Sequence, residues 1–178
     1  MPTSYDAIVI GAGQAGPPLA VRLAKAGLKT VLVEREHLGG TCVNDGCIPT
    51  KTLVASARAA HVARRAADWG IRIGGPVSVD MKAVKARKDA VVAKSIDGLQ
   101  KWIGSTANLS LIWGHARFTG PHAIEVNGEI LEAPKIFINV GGRPVLPPWK
   151  GLADLPVLDN VSMMASRALP CRDSEETP

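Results

Sequence analysis

DAIVIGAGQAGPPLAVRLAKAGLKTVLVE, Asp6 to Glu34, is the stretch from which the fold is read. Its opening run, Tyr5 to Ile10, is short and apolar and ends at a glycine, the pattern of a buried strand. Gly11, Gly13 and Gly16 follow at G-x-G-x-x-G spacing, and Leu19, Leu23 and Ala26 recur at helical intervals until Gly27. Pro17 and Pro18 fit such a helix only in its first turn, where the amides have no intrahelical partner. A second apolar run, Lys29 to Val33, closes on Glu34, 18 residues beyond Gly16. Strand, glycine turn, helix, strand and acid is the order of a dinucleotide-binding unit. The first glycine permits the tight turn, the second lets backbone approach a pyrophosphate, and the third lets helix and strand pack closely. The helix N-terminus offers free amides and a positive dipole end to phosphates. An acid at Glu34 can accept from a ribose hydroxyl. The plainer alternative, a turn that only packs, leaves three glycines and the acid as coincidence.

Five residues past Glu34 begins GGTCVNDGCIPTK, Gly39 to Lys51, which holds two of the three cysteines, Cys42 and Cys47, with four residues between them. Such a pair can be a redox disulfide, half a metal site, or two unrelated buried thiols. On a straight helix, residues five apart point about 140° apart, since each residue turns the chain by about 100°. A bridge needs α-carbons roughly 4.4–6.8 Å apart. The segment must therefore bend, and Gly46 with Pro49 offers the place. A structural zinc site wants a second close ligand pair, and neither His37 nor His61 stands at such spacing.

The chain's 178 residues suffice for one ordinary domain with a sizeable core. An apolar share of 46% implies a globular chain. The net charge of +5, from 21 basic and 16 acidic residues, suits attraction to phosphates. With scattered basic residues, one tyrosine and two phenylalanines, nucleic-acid binding by stacking is not expected. No apolar run reaches membrane-spanning length, and the N-terminus lacks the pattern of a secretory signal, so neither a membrane partner nor export is expected. The reading is cytoplasmic, a compartment where cysteine pairs are more often catalytic or sensing than structural.

Further along, Thr50 to Ala67 reads as a helix with Leu53, Ala57, Ala60 and Val62 among its apolar positions and Arg58, Arg64 and Arg65 on a solvated face. Gly70 to Val79 suggests two short extended pieces. Asp80 reads as the N-cap of a long helix to about Ile103. Its expected inward stripe is Val84, Val91, Ser95, Leu99 and Trp102; Lys82, Lys85, Lys88, Asp97 and Lys101 are expected outside. Leu109 to Trp113 is a third buried strand. His115 to Phe118 and Ala123 to Val126 suggest an antiparallel meander with an Asn127-Gly128 turn. Lys135 to Val140 is a fourth strand, running into Gly141 to Pro144. The fold class is therefore α/β: a mostly parallel sheet of about four strands, Rossmann-like, with helices on both faces and a small β-meander.

Together, GAGQAG at Gly11 to Gly16, GGTCVNDGCIPTK at Gly39 to Lys51 and INVGGRP at Ile138 to Pro144 resemble the FAD-dependent pyridine nucleotide-disulfide oxidoreductases. The middle motif looks nearest to the mercuric reductase-like and dihydrolipoamide dehydrogenase-like branches. The resemblance runs roughly from Tyr5 to Val161. It implies FAD as cofactor, NAD(P)H as electron donor, and a small disulfide or a metal ion as substrate. It makes Cys42 the interchange thiol that meets substrate and Cys47 the flavin-side thiol. Lys51 would lie near the reactive flavin nitrogen, where an ammonium stabilises both a reduced flavin anion and a thiolate. Glu34 would bind the adenosine ribose, and Gly11, Gly13 and Gly16 the pyrophosphate. Gly40, Thr41 and Gly141 would complete the cofactor contacts.

Three departures stand out. The family pattern Ala-Thr-Gly is here Asn139, Val140 and Gly141, which loses a hydroxyl and keeps the glycine. Asp45 stands between the cysteines, where an uncharged residue is usual; pointing inward, it would disfavour a thiolate. Beyond Val161 the family continues into a second nucleotide domain and a dimerisation domain that makes it a homodimer, and neither has a counterpart here. The expectation is an incomplete FAD-binding domain at 1–161 and a polar tail at 162–178 containing Cys171. The rival reading is a non-catalytic flavin- or nucleotide-binding remnant.

Overall fold

A computed structural model describes residues 2–165. Residues 166–178 of the expected tail, Cys171 among them, lie outside the described residues.

The elements in chain order are β1 (Thr3–Ser4), β2 (Ala7–Ile10), α1 (Gly16–Lys25), β3 (Thr30–Glu34), α2 (Gly40–Asn44), α3 (Cys47–Arg64), α4 (Met81–Gly104), β4 (Leu109–Trp113), β5 (Arg117–Gly120), β6 (Ala123–Val126), β7 (Glu129–Glu132), β8 (Ile136–Ile138) and α5 (Asn160–Ala165). Four strands form a parallel sheet in the order β4-β3-β2-β8. The chain winds outward from β2 through β3 to β4, then returns to place β8 on the other side of β2. The strand order therefore reverses between β2 and β8, and the crevice beyond their carboxyl ends is where such sheets bind ligands. The second sheet has the order β1-β7-β6-β5, antiparallel except for the β1–β7 pair.

Side-chain alternation along β2 and β3 decides the layering. Ile8, Val31 and Val33 turn to one face and pack with Tyr5, Ile124, Val126, Leu131 and Ala133 of the meander side. Val9 and Leu32 turn to the other and pack with Ala12, Ala20, Leu38 and Ile103, from the α1 and α4 side. Ile8, Val9, Val31 and Leu32 are completely buried. Each such side chain contributes about 1.5–3 kcal/mol by leaving water.

Local chemistry sets the helix ends. Pro17 and Pro18 do fall in the first turn of α1. That helix stops in a Schellman motif: Gly27 at φ +90° donates to the Ala24 carbonyl and Leu28 to that of Leu23. Asp80 caps α4 by accepting from the amides of Lys82 (2.9 Å) and Ala83 (3.1 Å).

The structure corrects several details. α3 begins at Cys47 rather than Thr50, so the second thiol opens the helix and Pro49 lies in its first turn. No strand forms between Gly70 and Val79. The meander has a third strand, β7, and takes in β1. On α4 the inward stripe is one residue out of phase at two places. Ile103 is 1% exposed and Trp102 38%, while Val92 is half-buried and Val91 exposed. Lys88, expected outside, is 6% exposed; its ammonium pairs with Asp89 and donates to the Met164 carbonyl (3.0 Å). The long aliphatic stem of lysine makes that position compatible with an apolar stripe.

Candidate active site

The glycine turn follows β2 at the crevice. Gly11 has φ +98°, and a side chain there would meet the Asn139 carbonyl at 2.2 Å. One at Gly16 would meet the Gly11 carbonyl at 2.0 Å. Gly13 differs: its nearest neighbour would be the Asn139 amide nitrogen at 3.7 Å. The first and third glycines thus serve close packing, and the second leaves its backbone open. None of the amides of Gly13, Gln14 and Ala15 donates to a backbone carbonyl among the described residues. They sit at the N-terminal, positive end of α1.

Glu34, at the carboxyl end of β3, faces this turn. Its Oε2 accepts from the Ala12 amide (2.6 Å), and its Oε1 from the amides of Glu36 (2.8 Å) and His37 (3.2 Å). The acid expected to meet a ribose therefore also holds one amide of the glycine turn and two of the segment that follows β3.

The cysteine segment is fastened to the same turn. The Gly39 amide donates to the Ala12 carbonyl (2.7 Å), and Gln14 Nε2 to the Gly39 carbonyl (3.3 Å). Gly40, at φ +55°, lies so close that a side chain on it would meet Gly13 Cα at 2.9 Å. Asn44 Nδ2 donates to the carbonyls of Leu38 and Gly40, both at 2.9 Å, and secures the start of α2. Thr41 is exposed beside Gly40.

The bend expected between the cysteines is present at Asp45 and Gly46, where α2 ends and α3 begins. A side chain at Gly46 would meet the Thr41 carbonyl at 2.9 Å and Cys42 Cα at 3.3 Å, so the two helix ends fold against each other. Pro49 is not the bend; it is buried inside α3. Cys42 is half-buried, Cys47 exposed, and both are free thiols. A hydrogen bond with the Cys47 side chain, then burial, then repulsion from Cys47 hold the Cys42 pKa above its usual value. The Cys47 backbone amide and the Lys51 ammonium act in the opposite direction. Lys51 is exposed, one turn after Cys47 on the same helical face. Asp45 is half-buried at the end of α2. Its backbone carbonyl accepts from Asn160 Nδ2 (3.4 Å) of α5, and its amide donates to Thr41 (2.9 Å).

Gly141, at φ +70°, is exposed just after β8. The site residues that sequence reasoning missed are Gln14 and Asn44, whose amides tie the cysteine segment down, and Asn139, considered only as a lost family alanine. A polar amide beside a glycine cluster was the available signal. No group of three or more histidine, cysteine or acidic side chains that could hold a metal occurs among the described residues.

A parallel α/β sheet thus carries an open glycine turn at its switch point, with two free thiols fastened beside it. Comparison with known proteins identifies the family. Residues 5–170 match the model of the pyridine nucleotide-disulphide oxidoreductases, and the chain belongs to that family, whose members work with FAD and take electrons from NAD(P)H. It is 36% identical to the dihydrolipoyl dehydrogenase of Mycoplasma pneumoniae over 171 residues, 94% of this chain and 37% of that protein. It is 31% identical to the mercuric reductase of Lysinibacillus sphaericus, over 95% of this chain and 31% of the relative. Among solved structures, the HOCl-induced flavoprotein disulfide reductase RclA from Escherichia coli superimposes with a TM-score of 0.78 at 35% identity, covering 93% of this chain and 35% of that one. The chain thus spans about a third of the length of these relatives.

Proposed function

We propose that this chain is the flavin-binding, thiol-bearing part of a reductase that moves electrons from NAD(P)H through FAD to the Cys42–Cys47 pair and on to a small disulfide or a metal ion. The observation that carries the reading is the seam between the two motifs. Gly40 meets Gly13 with no room for a side chain, so a dinucleotide on the turn and the thiols on α2 and α3 share one surface. The fit to FAD rests on the open backbone of Gly13 and the free amides of residues 13–15. Gly11, Gly13 and Gly16 would hold the pyrophosphate and Glu34 the adenosine ribose. Gly40, Thr41, Lys51 and Gly141 would line the remainder. Bound FAD supplies the two electrons that return an oxidised pair to dithiol.

The chain's own residues account for the substrate half. The Cys42 thiolate attacks one sulfur of a disulfide, forming a mixed disulfide and expelling the other sulfur as a thiolate that takes up a proton. The Cys47 thiolate then attacks the Cys42 sulfur, forming the Cys42–Cys47 bond and releasing the second substrate thiol. Two protein thiols are oxidised as one substrate disulfide becomes two thiols, so electrons balance. The Lys51 charge favours the thiolate needed to begin. A cytoplasmic setting and a homodimeric whole protein accord with this chemistry, with residues 1–161 as the FAD-binding domain; α5 spans position 161.

The test is reconstitution. Flavin absorbance should survive gel filtration after FAD is added, and Glu34→Ala should weaken retention. In site-resolved alkylation, bound FAD should protect Cys47 and leave Cys42 reactive. Tight NADH binding with no retained flavin, or protection of Cys42 alone, would overturn the assignment.

A further inference from the structure

We infer that Asn139 is a positioning residue for the phosphate-facing turn, its side-chain amide clamping the Gly11–Ala12 peptide unit from the far side of the switch point. The inference rests on the flavin-binding reading above. β2 and β8 are adjacent parallel strands in register, Ile10 beside Ile138, so Asn139 leaves β8 where Gly11 leaves β2. Its backbone amide donates to the Ile10 carbonyl (2.8 Å), extending the pairing by one bond. Its Nδ2 donates to the Gly11 carbonyl (3.3 Å). That carbonyl is also where a side chain on Gly16 would collide, so it is wedged between α1 and the asparagine. The other end of the same peptide unit, the Ala12 N–H, is held by Glu34 Oε2 at 2.6 Å.

One peptide plane is therefore gripped at both poles by side chains from two different strands. Rotation of this plane would swing the next amides, those of Gly13 and Gln14, away from a bound pyrophosphate. Glu34 alone fixes only the N–H pole. Asparagine suits the second pole because its amide is a donor and the Gly11 carbonyl is an acceptor. The alanine of the family pattern has no donor to offer, so this chain would depend on a contact that the pattern lacks.

The experiment compares the 178-residue chain with Asn139→Ala, Asn139→Ser and Asn139→Asp for FAD affinity by fluorescence titration at neutral pH. Urea midpoints establish folding, and amide hydrogen exchange is read at Ala12. Loss of one hydrogen bond predicts about a tenfold weaker Kd for the alanine variant. The serine variant keeps a donor and should retain part of the affinity. The aspartate variant matches asparagine in shape but presents an acceptor to a carbonyl, and should bind worst. Exchange at Ala12, whose N–H is held by Glu34, should quicken in the alanine and aspartate variants even without FAD. A residue that merely filled space would order the variants by size, with aspartate least affected, and that order would overturn the inference. So would wild-type affinity and exchange in Asn139→Ala, while FAD binding by the wild-type chain left the functional reading standing. A wild-type chain that retains no FAD overturns that reading and this one together.

Discussion

At Cys42 two neighbours act in opposite directions, and each can be removed. Its hydrogen bond and repulsion with Cys47 raise the pKa, and the Lys51 charge lowers it. Cys47→Ala should therefore bring the pH midpoint of Cys42 alkylation down, and Lys51→Met should move it up. Site-resolved iodoacetamide rates between pH 6 and 10 (~, spanning the ordinary thiol range) measure both. Equal midpoints in the two variants would mean that neither group governs this thiol. The same raised pKa has a stability consequence. The folded chain binds the Cys42 proton more tightly than the unfolded one, so the contribution is full below the ordinary thiol value. It is lost as pH rises through the folded value.

Among the elements, α4 offers the clearest energetic contrast. Ile103 is buried against Leu32 and Leu38, so Ile103→Ala should cost about 2–5 kcal/mol in urea unfolding. Trp102→Ala, next to it and partly exposed, should cost distinctly less. Asp80→Ala removes a cap that holds two amides and should cost about 1 kcal/mol. That cap was legible because capping is a local matter of one side chain and the next turn. So were β2, the glycine turn and α1, where every cue lies within thirty residues. The phase of α4 was not legible. Val91 and Val92 are equally apolar, and only the position of α3 and the sheet decides which turns inward. The buried Lys88 breaks the pattern outright, because its partners Asp89 and the Met164 carbonyl lie on the same helix and 76 residues away. β1 escaped notice for a similar reason: two residues carry no period, and they are a strand only because β7 lies beside them.

For the whole molecule, the parallel sheet ends at β8, which among the described residues pairs only with β2. Ile138 on this edge is 65% exposed, and a hollow of about 570 Å³ opens beside it, lined by Phe118, His122 and Phe137 among others. Uncovered apolar strand edges associate. The chain should self-associate in sedimentation velocity, and Ile138→Lys should shift it towards monomer. The 178 residues contain one glycine fingerprint, which the proposal gives to FAD. Steady-state assays with NADH and NADPH against lipoamide, glutathione disulfide and mercuric ion should therefore show no turnover by this chain alone. Clear turnover lost on Cys42→Ser would refute that division of labour. The contact between Gly13 and Gly40 bears on how such proteins can be taken apart. Transplanting residues 39–51 into another dinucleotide fold would carry the thiols but not their placement, unless the host also had a bare α-carbon at the facing point of its own turn. The redox motif is thus heritable only as half of a matched pair, and a library that randomises either glycine alone should lose both flavin retention and thiol pairing in the same clones.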